Sequence, residues 1–318
     1  LKACGNVQTL DKCREIHDTI ARIGFLGTNL FVSNALINMY TKRGMLEKAR
    51  DVFDKLPCHD VVSWNALITG YTDHEYDEEA LMCFEKMQLE YISPDIITFS
   101  CILKACGSMK VIDKGREIHD HLVIIGYLEK HQELGSTLID MYIKCEVLGS
   151  AQEVFDILII RDVVTWTTLI SGYVQHDHGK EALDLFNRMK VESISPDNIT
   201  FSCILKTFGS LGDIEKAQEL YEEIVIKGLE KDLFIVSSLI EMYIRCGNLF
   251  DAHSVLESLP SRNVVLWNAL ISGYVEYGYS EKVFQCLNQM RGEGIFPDAI
   301  TLVCSLKACS SIGSIVKG

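Results

Sequence analysis

Val61-Val-Ser-Trp-Asn-Ala-Leu-Ile-Thr-Gly-Tyr71 returns as Val163-Val-Thr-Trp-Thr-Thr-Leu-Ile-Ser-Gly-Tyr173 and again as Val264-Val-Leu-Trp-Asn-Ala-Leu-Ile-Ser-Gly-Tyr274. A phrase that recurs almost word for word every 101 to 102 residues marks an internal repeat, and such a repeat governs how every other motif is read. Two further phrases lie between the copies. Thr98-Phe-Ser-Cys-Ile-Leu-Lys104 is echoed from Thr200 and Thr301, and Asn34-Ala-Leu-Ile-Asn-Met-Tyr40 from Ser136 and Ser237. Each long period therefore holds three related units. Aligned on their shared Leu-Ile and later Ala-x-x-x-Phe positions, the units run 30–60, 61–95, 96–131, 132–162, 163–197, 198–232, 233–263 and 264–298, with partial units at 1–29 and 299–318.

Inside unit 61–95, Trp64, Leu67, Ile68 and Tyr71 recur at helical spacing. Ala80, Phe84 and Met87 then form a second stripe, which Pro94 closes. Each unit reads as a helix hairpin, with Gly44, Gly212 and Gly247 at the turn between its helices. Neither helix buries its stripe alone, so neighbouring hairpins must stack. The expected fold is all-α, a superhelical solenoid with a concave face, in one continuous array over residues 1–318.

Composition agrees with that class. Of 318 residues, 48% are hydrophobic and only five are proline, which fits helices with one buried face and excludes a disordered chain. No apolar run approaches the roughly 18 residues of a membrane span. Leu1-Lys2-Ala3-Cys4 resembles neither a signal peptide nor a transit peptide. Twelve cysteines without a Cys-x-x-Cys pair read as small buried residues in a reducing compartment. The net charge of −14 is unfavourable for a binder of polyanions, so any such groove must gather its cations locally.

Catalytic signatures are missing. No phosphate-cradling glycine loop or nucleophile–base pair stands out, and no metal or cofactor is expected. A zinc deaminase needs a His-x-Glu and a later Cys-x-x-Cys. His131-Gln-Glu133 supplies the first across a unit boundary, but no cysteine pair follows. His119-Asp-His121 reads as helix-packing and surface residues.

The Pro-Asp endings at Asp95, Asp197 and Asp298, the Lys104-Ala-Cys-Gly107 phrase and the Asn34-Ala-Leu-Ile phrase resemble the pentatricopeptide repeat family, specifically its plant type with alternating 35-residue, long and short units. The resemblance covers the whole chain. It implies a right-handed solenoid that binds single-stranded RNA one base per repeat, as an address reader for cytidine-to-uridine editing or other RNA processing in a mitochondrion or chloroplast. The alternative is a tetratricopeptide-like protein-binding scaffold. That repeat wants a small residue where this chain has Ile68, Ile170 and Ile271, and another where it has Met87, Met189 and Met290.

The second and fifth residues of each first helix lie about one turn apart on the concave side, and the last residue sits at the junction with the next unit. The resemblance implies that fifth and last residues together read a base, which the second residues of adjacent units sandwich. The second residues are Phe31, Val62, Ile97, Val164, Ile199, Phe234 and Val265, with Glu133 breaking the series. They also suit ordinary packing between repeats.

The reading pairs are Asn34 with Asp60, Asn65 with Asp95, Ser136 with Asp162, Thr167 with Asp197, Ser237 with Asn263, and Asn268 with Asp298. In the long units they are Ser100 with His131 and Ser202 with Asp232, whose base preferences stay open. A terminal Asp also suits a helix cap. By resemblance, Asn with Asp favours U, Thr or Ser with Asp favours G, and Ser with Asn favours A. The expected order is 5′-U-U-?-G-G-?-A-U-3′.

Lys42, Lys144 and Arg245, the thirteenth residues of the short units, suit phosphate contacts. Lys104, Lys206 and Lys307 extend that track, while Asp and Glu crowd the second helices, as at Asp77-Glu-Glu79. The resemblance also implies that accessory editing factors dock on the long units. Both ends fall inside a long unit, so the chain reads as a fragment whose parent carries or recruits a deaminase.

Overall fold

The computed structural model describes residues 10–315, with side chains described over 12–311. The reading of Leu1-Lys2-Ala3-Cys4 and the ends of the partial units 1–29 and 299–318 lie outside the described residues. Among those described there are 19 helices and no strand. They fall into two compact units, residues 1–161 and 162–318.

The first unit opens with α1 (Leu10–Ile23). Three hairpins follow: α2 (Leu30–Thr41) with α3 (Leu46–Asp54), α4 (Val61–Asp73) with α5 (Asp77–Leu89), and α6 (Ile96–Met109) with α7 (Ile112–Ile124). A four-residue helix, α8 (Tyr127–Lys130), then precedes the hairpin of α9 (Gln132–Lys144) and α10 (Leu148–Ile157). The second unit repeats the plan with α11 (Val163–Gln175), α12 (Gly179–Val191), α13 (Asn198–Leu211), α14 (Ile214–Ile226), α15 (Leu233–Arg245), α16 (Leu249–Ser258), α17 (Val264–Glu276), α18 (Ser280–Gly292) and α19 (Ala299–Ile315).

Short polar residues start the first helices. The side chains of Asn29, Asp60, Asp95, Asp162, Asp197, Asp232, Asn263 and Asp298 each accept a backbone N–H two or three residues on. Such a cap satisfies one orphan donor and stabilises by about 1 kcal/mol. His131, before α9, makes no such bond.

In the first unit α2 packs on α4, α4 on α6, and α6 on α9, while α3 and α5 each pack on their partner and on the next first helix. In the second unit the row runs α11, α13, α15, α17 and α19. Trp64, Trp166 and Trp267 fill equivalent core positions, at most 2% exposed. Ile68, Ile170 and Ile271, with Met87, Met189 and Met290, are wholly buried. A scaffold needing small residues at those sites would leave cavities where these side chains pack.

Gly107 and Gly209 let one first helix lie against the backbone of the next, since a Cβ there would lie 3.2 Å from Met141 Cα and 3.0 Å from Met242 Cα. Gly44, Gly212 and Gly247 do occupy intra-hairpin turns, with φ of 67°, 71° and 74°. Glu75, Lys110, Glu146 and Asp177 make the same left-handed bend without glycine.

No disulfide joins the described cysteines. Cys106 and Cys286 are buried, and burial pushes both thiols up to about 12. Among the described residues no helix is long and apolar enough to cross a membrane.

Candidate nucleic-acid interface

The second residue of each first helix stands in the open, and in all but one it is apolar. Phe31, Val62, Ile97, Val164, Ile199, Phe234 and Val265 are between 52% and 82% exposed, and Glu133 is exposed as well. Burying such side chains against neighbouring hairpins would remove that area from water, so packing alone does not account for them. Ile300, 57% exposed at the second position of α19, belongs to the same series. The sequence reading omitted it because its unit counted only as partial.

One turn further on, Asn34, Asn65, Thr167, Ser202 and Asn268 are buried, and Ser100, Ser136 and Ser237 half-buried. The amide of Asn34 donates to Asp60 at 3.2 Å, that of Asn65 to Asp95 at 2.9 Å, and that of Asn268 to both oxygens of Asp298 at 2.9 Å. These carboxylates also cap the next helix, so capping and side-chain pairing coexist at the same atoms. The Thr301 backbone N–H, then the Asn268 amide, hold the Asp298 carboxyl below its ordinary value.

Thr167 reaches Asp197 indirectly. Its hydroxyl lies 2.7 Å from that of Thr200, which donates to Asp197 at 2.7 Å. Ser136 donates instead to the Glu133 carbonyl at 3.1 Å. Asp232 accepts from Asn198 at 3.0 Å, while the Ser202 hydroxyl is buried without a partner. Among the described residues no hydrogen bond joins Ser237 to Asn263 or Ser100 to His131.

Lys42, Lys144 and Arg245 are all exposed at the ends of α2, α9 and α15. Lys144 pairs with Asp140 at 2.9 Å and Arg245 with Glu241 at 3.1 Å. Lys206 also lies 3.6 Å from Glu241. Acidic residues are thus not confined to the second helices, and the pairing lowers the net positive charge those cations offer. Lys104 and Lys307 are exposed.

His119 packs as expected, with Nδ1 hydrogen-bonded to the Tyr142 hydroxyl at 2.8 Å. His131 lies against Tyr127, their ring centroids 5.0 Å apart. Among the described residues no group of three or more His, Cys, Asp or Glu could hold a metal ion.

Models of the PPR repeat family match residues 59–108, 161–210 and 262–311, and a single PPR repeat matches 31–61, 199–229 and 234–264. The chain is 33% identical over its whole length to the mitochondrial pentatricopeptide repeat-containing protein At1g06140 of Arabidopsis thaliana, spanning 57% of that protein. It is 34% identical over 98% of its length to the chloroplastic At1g11290 of the same plant, spanning 38% of it. The chain therefore covers about half or less of these two relatives. Among solved structures, the pentatricopeptide repeat protein PPR10 in complex with an 18-nt psaJ RNA element matches 94% of the chain at TM-score 0.76 and 17% identity, over 45% of its own length. PPR10 from maize matches 99% of the chain at TM-score 0.69 and 20% identity, over 52% of its own length. At these identities the match establishes the helical-repeat fold.

Proposed function

Because the chain belongs to the pentatricopeptide repeat family, we propose that it binds single-stranded RNA, one base per unit, as an address reader for organellar RNA. The observation that carries this reading is the recurring Asn–Asp pair beneath an exposed apolar residue, at Val62 with Asn65–Asp95 and at Val265 with Asn268–Asp298. A base face stacks on the apolar side chain while its polar edge meets the fifth residue. The alternating unit lengths fit the plant editing type, and the base order is 5′-U-U-?-G-G-?-A-U-3′ from unit 30–60 to unit 264–298. Lys42, Lys144 and Arg245 contact phosphates, and the long units dock accessory factors. The work is done in a mitochondrion or chloroplast, as the names of relatives suggest. Editing chemistry falls to a deaminase carried elsewhere in the parent or recruited.

The test is a gel shift with short RNAs varied at the second base, using the native chain and Asn65→Thr. The variant copies the Thr167–Asp197 arrangement into unit 61–95. Native protein is expected to favour U, and the variant G, each by roughly three- to tenfold, the worth of about one net hydrogen bond. Binding indifferent to base order in both proteins would sink the reading.

A further inference from the structure

In units 61–95, 163–197 and 264–298 the reading pair borrows a third side chain from the unit that follows. We propose that this hydroxyl, on Thr98, Thr200 or Thr301, is a positioning group that decides whether the fifth residue turns a donor or an acceptor toward the base. The inference rests on the one-base-per-unit reading above and adds a residue to it.

Proton bookkeeping at unit 163–197 shows why. The Asp197 carboxylate only accepts, so the Thr200 hydroxyl proton points to it across 2.7 Å. The Thr200 oxygen is then left to accept, and its partner at 2.7 Å is the Thr167 hydroxyl, which must donate. Thr167 Oγ is left with lone pairs alone for an incoming ligand. An acceptor suits the N1–H and 2-amino donors on the edge of guanine, whereas uracil sets a carbonyl on each side of its single N–H.

At unit 61–95 the same hydroxyl has the opposite effect. Asp95 Oδ1 takes the Asn65 amide N–H at 2.9 Å, which fixes the amide's orientation. Thr98 Oγ lies 2.6 Å from Asn65 Oδ1 and 3.1 Å from Asp95 Oδ1, and its one proton goes to the nearer acceptor, the amide oxygen. One lone pair of the amide oxygen is thereby taken and the amide held in place, so the N–H that Asp95 does not hold is the donor we assign to a uracil carbonyl. Asn268 repeats the hydroxyl contact, with Thr301 Oγ 2.5 Å from its oxygen, while its amide nitrogen meets both oxygens of Asp298.

Unit 30–60 serves as an internal contrast. There Ser63 donates to the Asp60 carbonyl and accepts the Asp60 N–H, both at 2.8 Å. It does not engage Asn34, whose Oδ1 is buried without a partner. No hydroxyl fixes the Asn34 oxygen as Thr98 fixes that of Asn65, so base one is expected to separate U from C less sharply than base two.

The experiment compares native protein with Thr200→Val and Thr200→Ser by gel shift on RNAs carrying G or U at the fifth base, with the second base varied in parallel. Valine keeps the shape and removes the hydroxyl; serine restores it. The expected result is that Thr200→Val loses on the order of three- to tenfold of the G-over-U preference at base five only, while Thr200→Ser retains it. A Thr200→Val protein that melts cooperatively and keeps the native preference overturns the inference. Thr98→Val supplies an independent arm: its U preference at base two must fall while base five is unchanged, and an unchanged base two overturns the inference whether or not Thr200→Val folds. Native protein without preference at either base would instead overturn the base-per-unit reading itself.

Discussion

Asp95 accepts the Thr98 backbone N–H at 3.0 Å and the Asn65 amide at 2.9 Å, so one carboxylate starts a helix and holds a neighbour's side chain. Sequence presents capping and pairing as rivals because it shows the residue type and not its two sets of lone pairs. The second and fifth positions were legible from helical spacing; the third was not, since Thr98 acts across a boundary that the unit alignment treats as a divide. Histidine gives a test at the same scale. His119 Nδ1 bonds the Tyr142 hydroxyl, while Nε2 is buried without a partner, and burial lowers the imidazole below its ordinary 6.5. A folded pKa below the unfolded one means that the unfolded chain binds more protons between the two values. Stability is therefore full above pH 6.5 and is lost as pH falls from there through the folded value. Melting temperatures followed by circular dichroism from pH 7 to 5 are expected to fall less steeply for His119→Phe than for the native chain. Parallel slopes would contradict the assignment.

Helices with an Asp or Asn at their start and a repeated apolar stripe could be read directly, because cap and periodicity are local signals. The short α8 could not, since Tyr127–Lys130 carries no stripe and buries no residue. The i−4 carboxylates Asp140 and Glu241 were visible beside Lys144 and Arg245, and the helical spacing foretells their pairing. Close approach between helices is a tertiary fact that no local pattern announces. Gly209→Ala places a Cβ against the Met242 backbone, and urea melts are expected to show a loss of about 1–3 kcal/mol. Gly149→Ala, on α10 with nothing within 4 Å, is the control and gains roughly 0.5–1 kcal/mol. Equal effects at both sites would mean that helix propensity, not the α13–α15 approach, governs Gly209.

The whole chain carries −14, and of the three short-unit cations Lys144 and Arg245 already face carboxylates. Three phosphate contacts on a single strand give a slope of log K against log salt near −2, and the pairing makes it shallower. Binding should thus depend on stacking and base edges more than on charge, and filter binding across salt concentrations measures it. A slope steeper than about −4 would point to cations beyond Lys42, Lys144 and Arg245. The seam at Asn65, Asp95 and Thr98 also sets how such proteins can be rebuilt. A cassette cut at hairpin edges would transplant Asn65 and Asp95 but leave Thr98 behind, mating each graft with a foreign third residue. The portable module is staggered, running from the helix that bears Asn65 to the first turn of the next, and libraries shuffled in that frame would keep each letter with its punctuation.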